Sequence, residues 1–142
     1  RPRSKVSPQM PPDTAPDKQV FEIRVQPAPR QSRSDAWKKR PSVMQYRAFC
    51  DHIRLLAKGI PHRFLAIVDL PMPASWSETR KRAMDGMPHQ VKPDFDNLSK
   101  AIVDAICPRA DAHIYDGRVI KRYARSPRLV IQRIHDNAHQ AD

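Results

Sequence analysis

The segment Lys92-Pro93-Asp94-Phe95-Asp96-Asn97-Leu98-Ser99-Lys100 places two carboxylates one residue apart at the mouth of a strongly indicated helix, with Lys100 and then Asp104 following on it. Paired carboxylates are hard oxygen ligands. They suit Mg²⁺, which takes oxygen donors and keeps several of its waters. An ion held there generates hydroxide from a poor nucleophile and stabilises charge on a phosphorane-like transition state. A lysine one turn further on can meet the phosphate or the developing charge. In a chain of 142 residues with a formal charge of +11, this acidic focus is out of character. A basic protein with a small acidic site is the charge pattern expected of a metal-dependent enzyme acting on nucleic acid. A blander reading stays open at this point, since Asp-x-Asp-Asn before a helix also serves as a cap and a solvated turn. Zinc is poorly served: Cys50 and Cys107 are far apart, and no His or Cys pair has ligand spacing.

The spacing also predicts geometry. Pro93 disfavours helix at Lys92, so the chain enters extended. Asp96 is expected as the N-cap. Leu98, Ala101, Ile102, Ala105 and Ile106 recur at helical spacing as one apolar face. Asn97, Lys100 and Asp104, three and four residues apart, share the polar side, where Asn97 and Asp104 are candidates for a supporting shell. Asp94 and Asp96 alternate past Phe95, so in an extended stretch they point the same way and Phe95 faces the core.

The elements that must position this run follow from pattern. Val20–Gln26 alternates as a half-buried strand, ended by Pro27 and Pro29. A basic loop over 30–41 contains Trp37, equally readable as a base-stacking platform or as partly buried. Ser42 opens a helix with Gln45 at the capping-box position. Its apolar face is Tyr46, Phe49, Cys50, Ile53, Leu56 and Ala57, and it stops at Gly59 and Pro61. Phe64–Leu70 reads as a strand covered on both faces. Residues 71–92 form a long connection with a short helix capped by Ser75 or Ser77, expected to act as a mobile flap against substrate. After the acidic run and its helix, Val119–Arg125 and Leu129–Ile134 are strands joined at Ser126-Pro127.

A further acid, Asp116, arrives in Ala112-His113-Ile114-Tyr115-Asp116-Gly117-Arg118-Val119-Ile120, where the chain turns into a new strand. Taken together, Lys-Pro-Asp-x-Asp-Asn-Leu-x-Lys, the later Asp-Ala-Ile, and Ile-Tyr-Asp-Gly-Arg-Val resemble the RusA family of Holliday-junction resolvases, small endodeoxyribonucleases common in phages and prophages. The resemblance covers roughly residues 20–134 and is sharp over 92–120. It implies a Mg²⁺-dependent endonuclease, with Mn²⁺ as a substitute, that resolves four-way DNA junctions in recombination and repair. It implies that Asp94, Asp96 and Asp116 bind the metal, that Lys100 is catalytic, and that Asp104 matches a further helix acid. It also implies a homodimer, whose two-fold symmetry matches that of a junction and lets two sites nick opposing strands. The family pattern at the third acid is two adjacent acids, a small residue and then glutamine. Here Tyr115 replaces the first acid and Arg118 the glutamine, and Asp111 is a lesser alternative acid.

Length and pattern predict one mixed α/β (α+β) domain over 20–135, in the order strand, helix, strand, short helix, helix, strand, strand. Residues 1–19, with Pro2, Pro8, Pro11, Pro12 and Pro16, read as a disordered basic arm, and 136–142 as a frayed tail. Candidate DNA-contacting residues are Arg30, Arg33, Lys38, Lys39 and Arg40, then Arg80, Lys81 and Arg82, then Arg118 and Lys121, with Arg24, Arg122, Arg125 and Arg128 nearby. Each cluster taken alone also reads as a solvated surface. No apolar run reaches the roughly 20 residues of a membrane span. With only two cysteines and no legible secretory segment, the expected setting is a reducing cytoplasm, which the resemblance implies is that of a bacterial or phage-infected cell. The first residue is Arg1 rather than Met, which leaves a preceding segment open. His113 is readable as an aid to metal or proton transfer, or simply as surface. Two rivals to the enzyme reading stand: a non-catalytic nucleic-acid-binding module, and a Mg²⁺-dependent nuclease for other branched DNA.

Overall fold

A computed structural model describes residues 15–29, 40–107 and 111–135. In chain order the elements are β1 (Lys18–Phe21), α1 (Pro41–Leu56), β2 (Arg63–Pro71), α2 (Glu78–Met84), α3 (Phe95–Ile106), β3 (Asp116–Ala124) and β4 (Arg128–Arg133). They form an α+β fold in the predicted order, around one mixed four-stranded sheet arranged β1-β4-β2-β3. β2 and β3 pair in parallel, which requires a crossover, and α3 lies within it. β4 runs antiparallel to both β1 and β2.

Strand alternation decides which side is covered. Phe21, Phe64, Ala66, Val68, Leu70, Leu129 and Ile131 point to one face. There they pack in a single core with Phe49 and Ile53 of α1 and the predicted apolar stripe of α3. Gly117 lets β3 lie close beside β2, since a Cβ there would come within 2.9 Å of the Phe64 ring. The Lys92–Pro93 peptide ahead of α3 is cis.

The opposite face corrects the reading of β2 as covered on both sides. Among the described residues no helix lies on it. One row, Val20, Val130, Ile67 and Ile120, crosses all four strands, and Val20 and Ile120 are each 45% exposed. The flanking rows are charged. In one, Asp69 is buried between Arg122 (Nε–Oδ1 2.5 Å) and Arg128 (Nε–Oδ2 2.9 Å). Asp69 sits in an apolar run, and the register supplies both its partners, pairing it with Arg122 on one side and Arg128 on the other.

Several boundaries differ from expectation. β1 starts at Lys18, inside the segment assigned to the arm, and ends at Phe21 rather than Gln26. Side-chain bonds explain the early start. Arg133 reaches Asp17 (3.1 Å) and the Ala15 carbonyl, and Gln19 bridges the Gly59 carbonyl (2.9 Å) and the Lys58 amide (2.8 Å). α1 is capped by Arg40 without a side-chain bond and carries Pro41 in its first turn, so Ser42 is not its cap. Leu56, assigned to the core, is 51% exposed, whereas Val43 is buried. α2 is capped by Ser77, whose hydroxyl accepts the Arg80 amide at 3.2 Å.

Replacing Asp69 by Asn should destabilise the fold by roughly 1–3 kcal/mol. It leaves two arginines facing a neutral buried amide, but both are partly exposed, which keeps the cost below that of a fully buried charge. Urea unfolding would measure this.

Candidate active site

α3 begins two residues earlier than the sequence suggested. Its N-cap is Asp94, and Asp96 lies in the first turn rather than at the cap. The difference bears on function. Asp94 contributes only its carbonyl to the helix, accepting the Leu98 amide at 3.1 Å, and its carboxylate makes no capping bond. Asp96 Oδ1 accepts the amide of its neighbour Asn97 at 2.9 Å. The Asp94 carboxylate is therefore not committed to capping, and Asp96 commits only Oδ1, to one amide of the first turn. Both are exposed, and both favour the positive end of the helix dipole.

Because Leu98, Ala101, Ile102, Ala105 and Ile106 are fully buried, the rotation of α3 is set and its polar side faces outward. Asp94, Asp96, Asn97, Lys100 and Asp104 accordingly line one cavity of about 540 Å³, closed on the far side by Tyr46 of α1 and by Ala28 and Pro29. Lys100 is exposed and has no ion-pair partner among the described residues. Tyr46 donates its hydroxyl to Asp104 Oδ2 at 3.2 Å, and Arg54 donates to the Asp104 carbonyl at 3.1 Å. Burial, with Cys50 and Asp104 beside it, raises the Tyr46 pKa well above the usual phenol value, so this group stays a donor.

Phe95 departs from its expected core position and is 55% exposed. Helix rather than strand at 95–96 removes the alternation on which that expectation rested. Phe95 and Asp94 border a second cavity of about 700 Å³ with His89, Lys92 and Lys121. Burial, and then Lys121, lowers the His89 pKa, which favours a neutral imidazole.

Asp116 does not line the cavity that holds Asp94 and Asp96. Lys121 is the β3 residue that meets the α3 entrance, donating to the Val91 and Pro93 carbonyls at 2.8 and 2.6 Å. Asp116 lies five residues upstream, roughly 16 Å along an extended strand. Its carboxylate is held by Arg118 and Arg63, each at 3.1 Å, and Arg118 first, then Arg63, pulls its pKa below the ordinary carboxylate value. Among the described residues no three His, Cys, Asp or Glu side chains are grouped to hold a metal. Asp111 and Tyr115 are exposed. His113 Nδ1 sits 3.1 Å from His62 Nδ1, on the Asp116 side of the molecule.

The basic clusters have uneven fates. Arg30, Arg33, Lys38, Lys39 and Trp37 lie outside the described residues, and Arg40 caps α1. Arg80, Lys81 and Arg82 sit on α2, with Arg80 stacked 4.1 Å over Trp76. The third cluster is spent internally: Arg118 on Asp116, Lys121 on two carbonyls, Arg122 and Arg128 on Asp69, and Arg125 on Glu78. The connection expected to be a mobile flap is stitched to the outer edge of β3 over its second half. Gly86 donates to Tyr123, Tyr123 to Met87, and His89 to Lys121.

The family model described as Endodeoxyribonuclease RusA matches residues 62–133, about half of the chain. The chain belongs to the RusA family. No curated protein and no solved structure matches it. The matched span runs from the start of β2 to the end of β4, so it includes the acid pair, Lys100, Asp104 and Asp116, and it identifies a DNA endonuclease family. α1 lies outside it. Tyr46 is thus a site residue that neither the RusA match nor the periodicity pointed to, since its ring fits the apolar spacing of α1 and only its hydroxyl reaches the cavity.

Lys100→Ala should leave thermal stability within about 0.5 kcal/mol, as at exposed sites without special contacts. Leu98→Ala, on the buried side of the same helix, should cost roughly 2–5 kcal/mol. Similar melting losses for both would show that the helix faces are misassigned.

Proposed function

We propose that this RusA-family endonuclease is a Mg²⁺-dependent resolvase of four-way DNA junctions, acting in recombination and repair by paired, symmetric nicks. One observation carries the reading: Asp94, whose carboxylate makes no capping bond, and Asp96, which gives only Oδ1 to a neighbouring amide, share one cavity with a lysine that has no ion-pair partner among the described residues. Their chemistry fits Mg²⁺, which binds through one or two carboxylates together with substrate phosphate oxygens and water. Asp94 and Asp96 would hold the ion, which when bound supplies an activated water and neutralises developing charge. Lys100 would meet the scissile phosphate. Asn97 borders the same cavity and would orient an acid or the phosphate. Asp116, as placed, enters this reading as the counter-ion of Arg63 and Arg118. Arg80, Lys81 and Arg82 of α2 supply backbone contacts, which carry no sequence information.

Cutting two opposed strands needs two sites, and a homodimer provides them with the symmetry of the junction. The apolar row across the uncovered sheet face supports this. Its end residues Val20 and Ile120 are half-exposed although Val130 between them is buried, exposed apolar surface of this kind marks interfaces, and a strand-crossing row with charged residues beside it suits packing against its own copy. No helix among the described residues is long and apolar enough to cross a membrane. A cytoplasmic setting belongs to the proposal.

Incubation of a labelled four-way junction with Mg²⁺ should give paired nicks that vanish in EDTA. Asp94→Asn and Asp96→Asn should each lower the rate by at least about a hundredfold, a scale set by losing electrostatic stabilisation at the reacting phosphate. Both should still bind the uncut junction, with the same steep salt dependence as the unmutated protein. Near-normal cleavage by both variants would overturn the site. Preference for flaps over junctions would favour the other branched-DNA reading, and binding without cleavage the non-catalytic one.

Ile120→Asp should convert the dimer to monomer in sedimentation or light scattering without unfolding it. A dimer that survives this change would place the interface elsewhere.

A further inference from the structure

Lys100 stands one turn from an acid on either side along α3, with Asp96 four residues before it and Asp104 four residues after. All three line the same cavity. Charges at this spacing are neighbours on a helix and attract one another. A lysine flanked this way is expected to fold onto one acid and lose its use as a phosphate ligand, yet Lys100 forms no ion pair among the described residues. The neighbouring bonds explain why. Asp96 Oδ1 is turned back to the Asn97 amide, 2.9 Å away. Asp104 Oδ2 is turned toward α1, where the Tyr46 hydroxyl donates to it at 3.2 Å. Arg54, also from α1, ties the Asp104 carbonyl at 3.1 Å and so fastens the backbone at that turn.

We infer that Tyr46 is a positioning residue for Lys100. Its hydroxyl holds the Asp104 carboxylate against α1 and keeps that acid from capturing the ammonium, which leaves Lys100 free for the substrate phosphate. Tyr46 suits the task. It is half-buried, so its ring is fixed by packing, and its hydroxyl is a steady donor that does not ionise in the neutral range. A phenylalanine would pack in the same place and lack only the donor. The inference rests on the proposed action of Lys100 on phosphate, and it extends the working site across to α1, beyond the span matched by the family.

The test is a double-mutant cycle on junction cleavage under single-turnover conditions with Mg²⁺, with affinity for the uncut junction measured separately in EDTA. Tyr46→Phe should slow cleavage about three- to tenfold, a size consistent with an ion pair forming in a partly enclosed cavity, and should weaken EDTA affinity in the same direction as Lys100→Ala. Adding Asp104→Asn should rescue that loss, so that the double variant cleaves at the same rate as Asp104→Asn alone, because the amide no longer attracts the ammonium. On a Lys100→Ala background, Tyr46→Phe should have no further effect on residual rate or affinity. A merely structural tyrosine would give equal losses on both backgrounds and no rescue, and either outcome overturns the inference. If Lys100→Ala abolishes cleavage while Tyr46→Phe changes nothing, the inference alone fails. If Lys100→Ala cleaves normally, the reading of the site beneath it fails.

Discussion

The rotation of α3 about its own axis is the constraint on which the site depends. Leu98, Ala101, Ile102, Ala105 and Ile106 are wholly inaccessible to solvent, and burying a side chain of the Leu or Ile class is worth roughly 1.5–3 kcal/mol. A turn of even 60° about the helix axis would expose part of that stripe and bury part of the polar row. Sheet and α1 therefore hold the helix so that Asp96, Lys100 and Asp104 face outward along one line. The acids do not stabilise their own placement, and the core on the other side of the helix fixes it.

The same separation explains how the charge is used. The surplus behind the value of +11 looks in the sequence like three patches awaiting a polyanion. The structure divides it. Around β3 and β4 the guanidinium groups neutralise Asp69, Asp116 and Glu78, and so act as structural partners of the few acids outside the cavity. On α2 no residue is buried, and that segment keeps cations at the surface. Among the described residues Asp94, Asp96 and Lys100 take no part in this ion pairing.

Legibility followed the range of the interactions involved. The α3 stripe, the order of elements and the acid-acid-lysine spacing are local and periodic, and they could be read directly. The cap position at Asp94 differed from expectation by two residues because Asp94 and Asp96 are both good caps, and propensity does not choose between them. Phe95 was misplaced as a direct consequence. Non-local pairing was not legible. Nothing local in Phe64–Leu70 says that one face of β2 stays uncovered, or that Asp69 will meet two arginines from strands distant in sequence. Asp116 shows the limit of motif reading. The motif orders the acids along the chain, but the parallel register of β3 against β2 decides where along the strand each lands, and it sets Asp116 opposite Arg63.

Lys121 connects these levels. By composition it belonged to a basic cluster, and by alternation it falls on the helix side of β3 beside Val119 and Tyr123. There it is five residues from the strand's start, level with the place where the chain leaves the β3 edge. Backbone bonds from Gly86 to His89 hold the incoming segment along that edge. The Lys121 ammonium then gathers the Val91 and Pro93 carbonyls, the last two before Asp94 that it can reach. A cation bonded to two carbonyls loses most of its value for DNA, but it fixes the path by which the chain enters α3. The acid pair is thus held from two sides, by the buried stripe that sets the rotation of the helix and by a lysine on the neighbouring strand that sets where the helix begins.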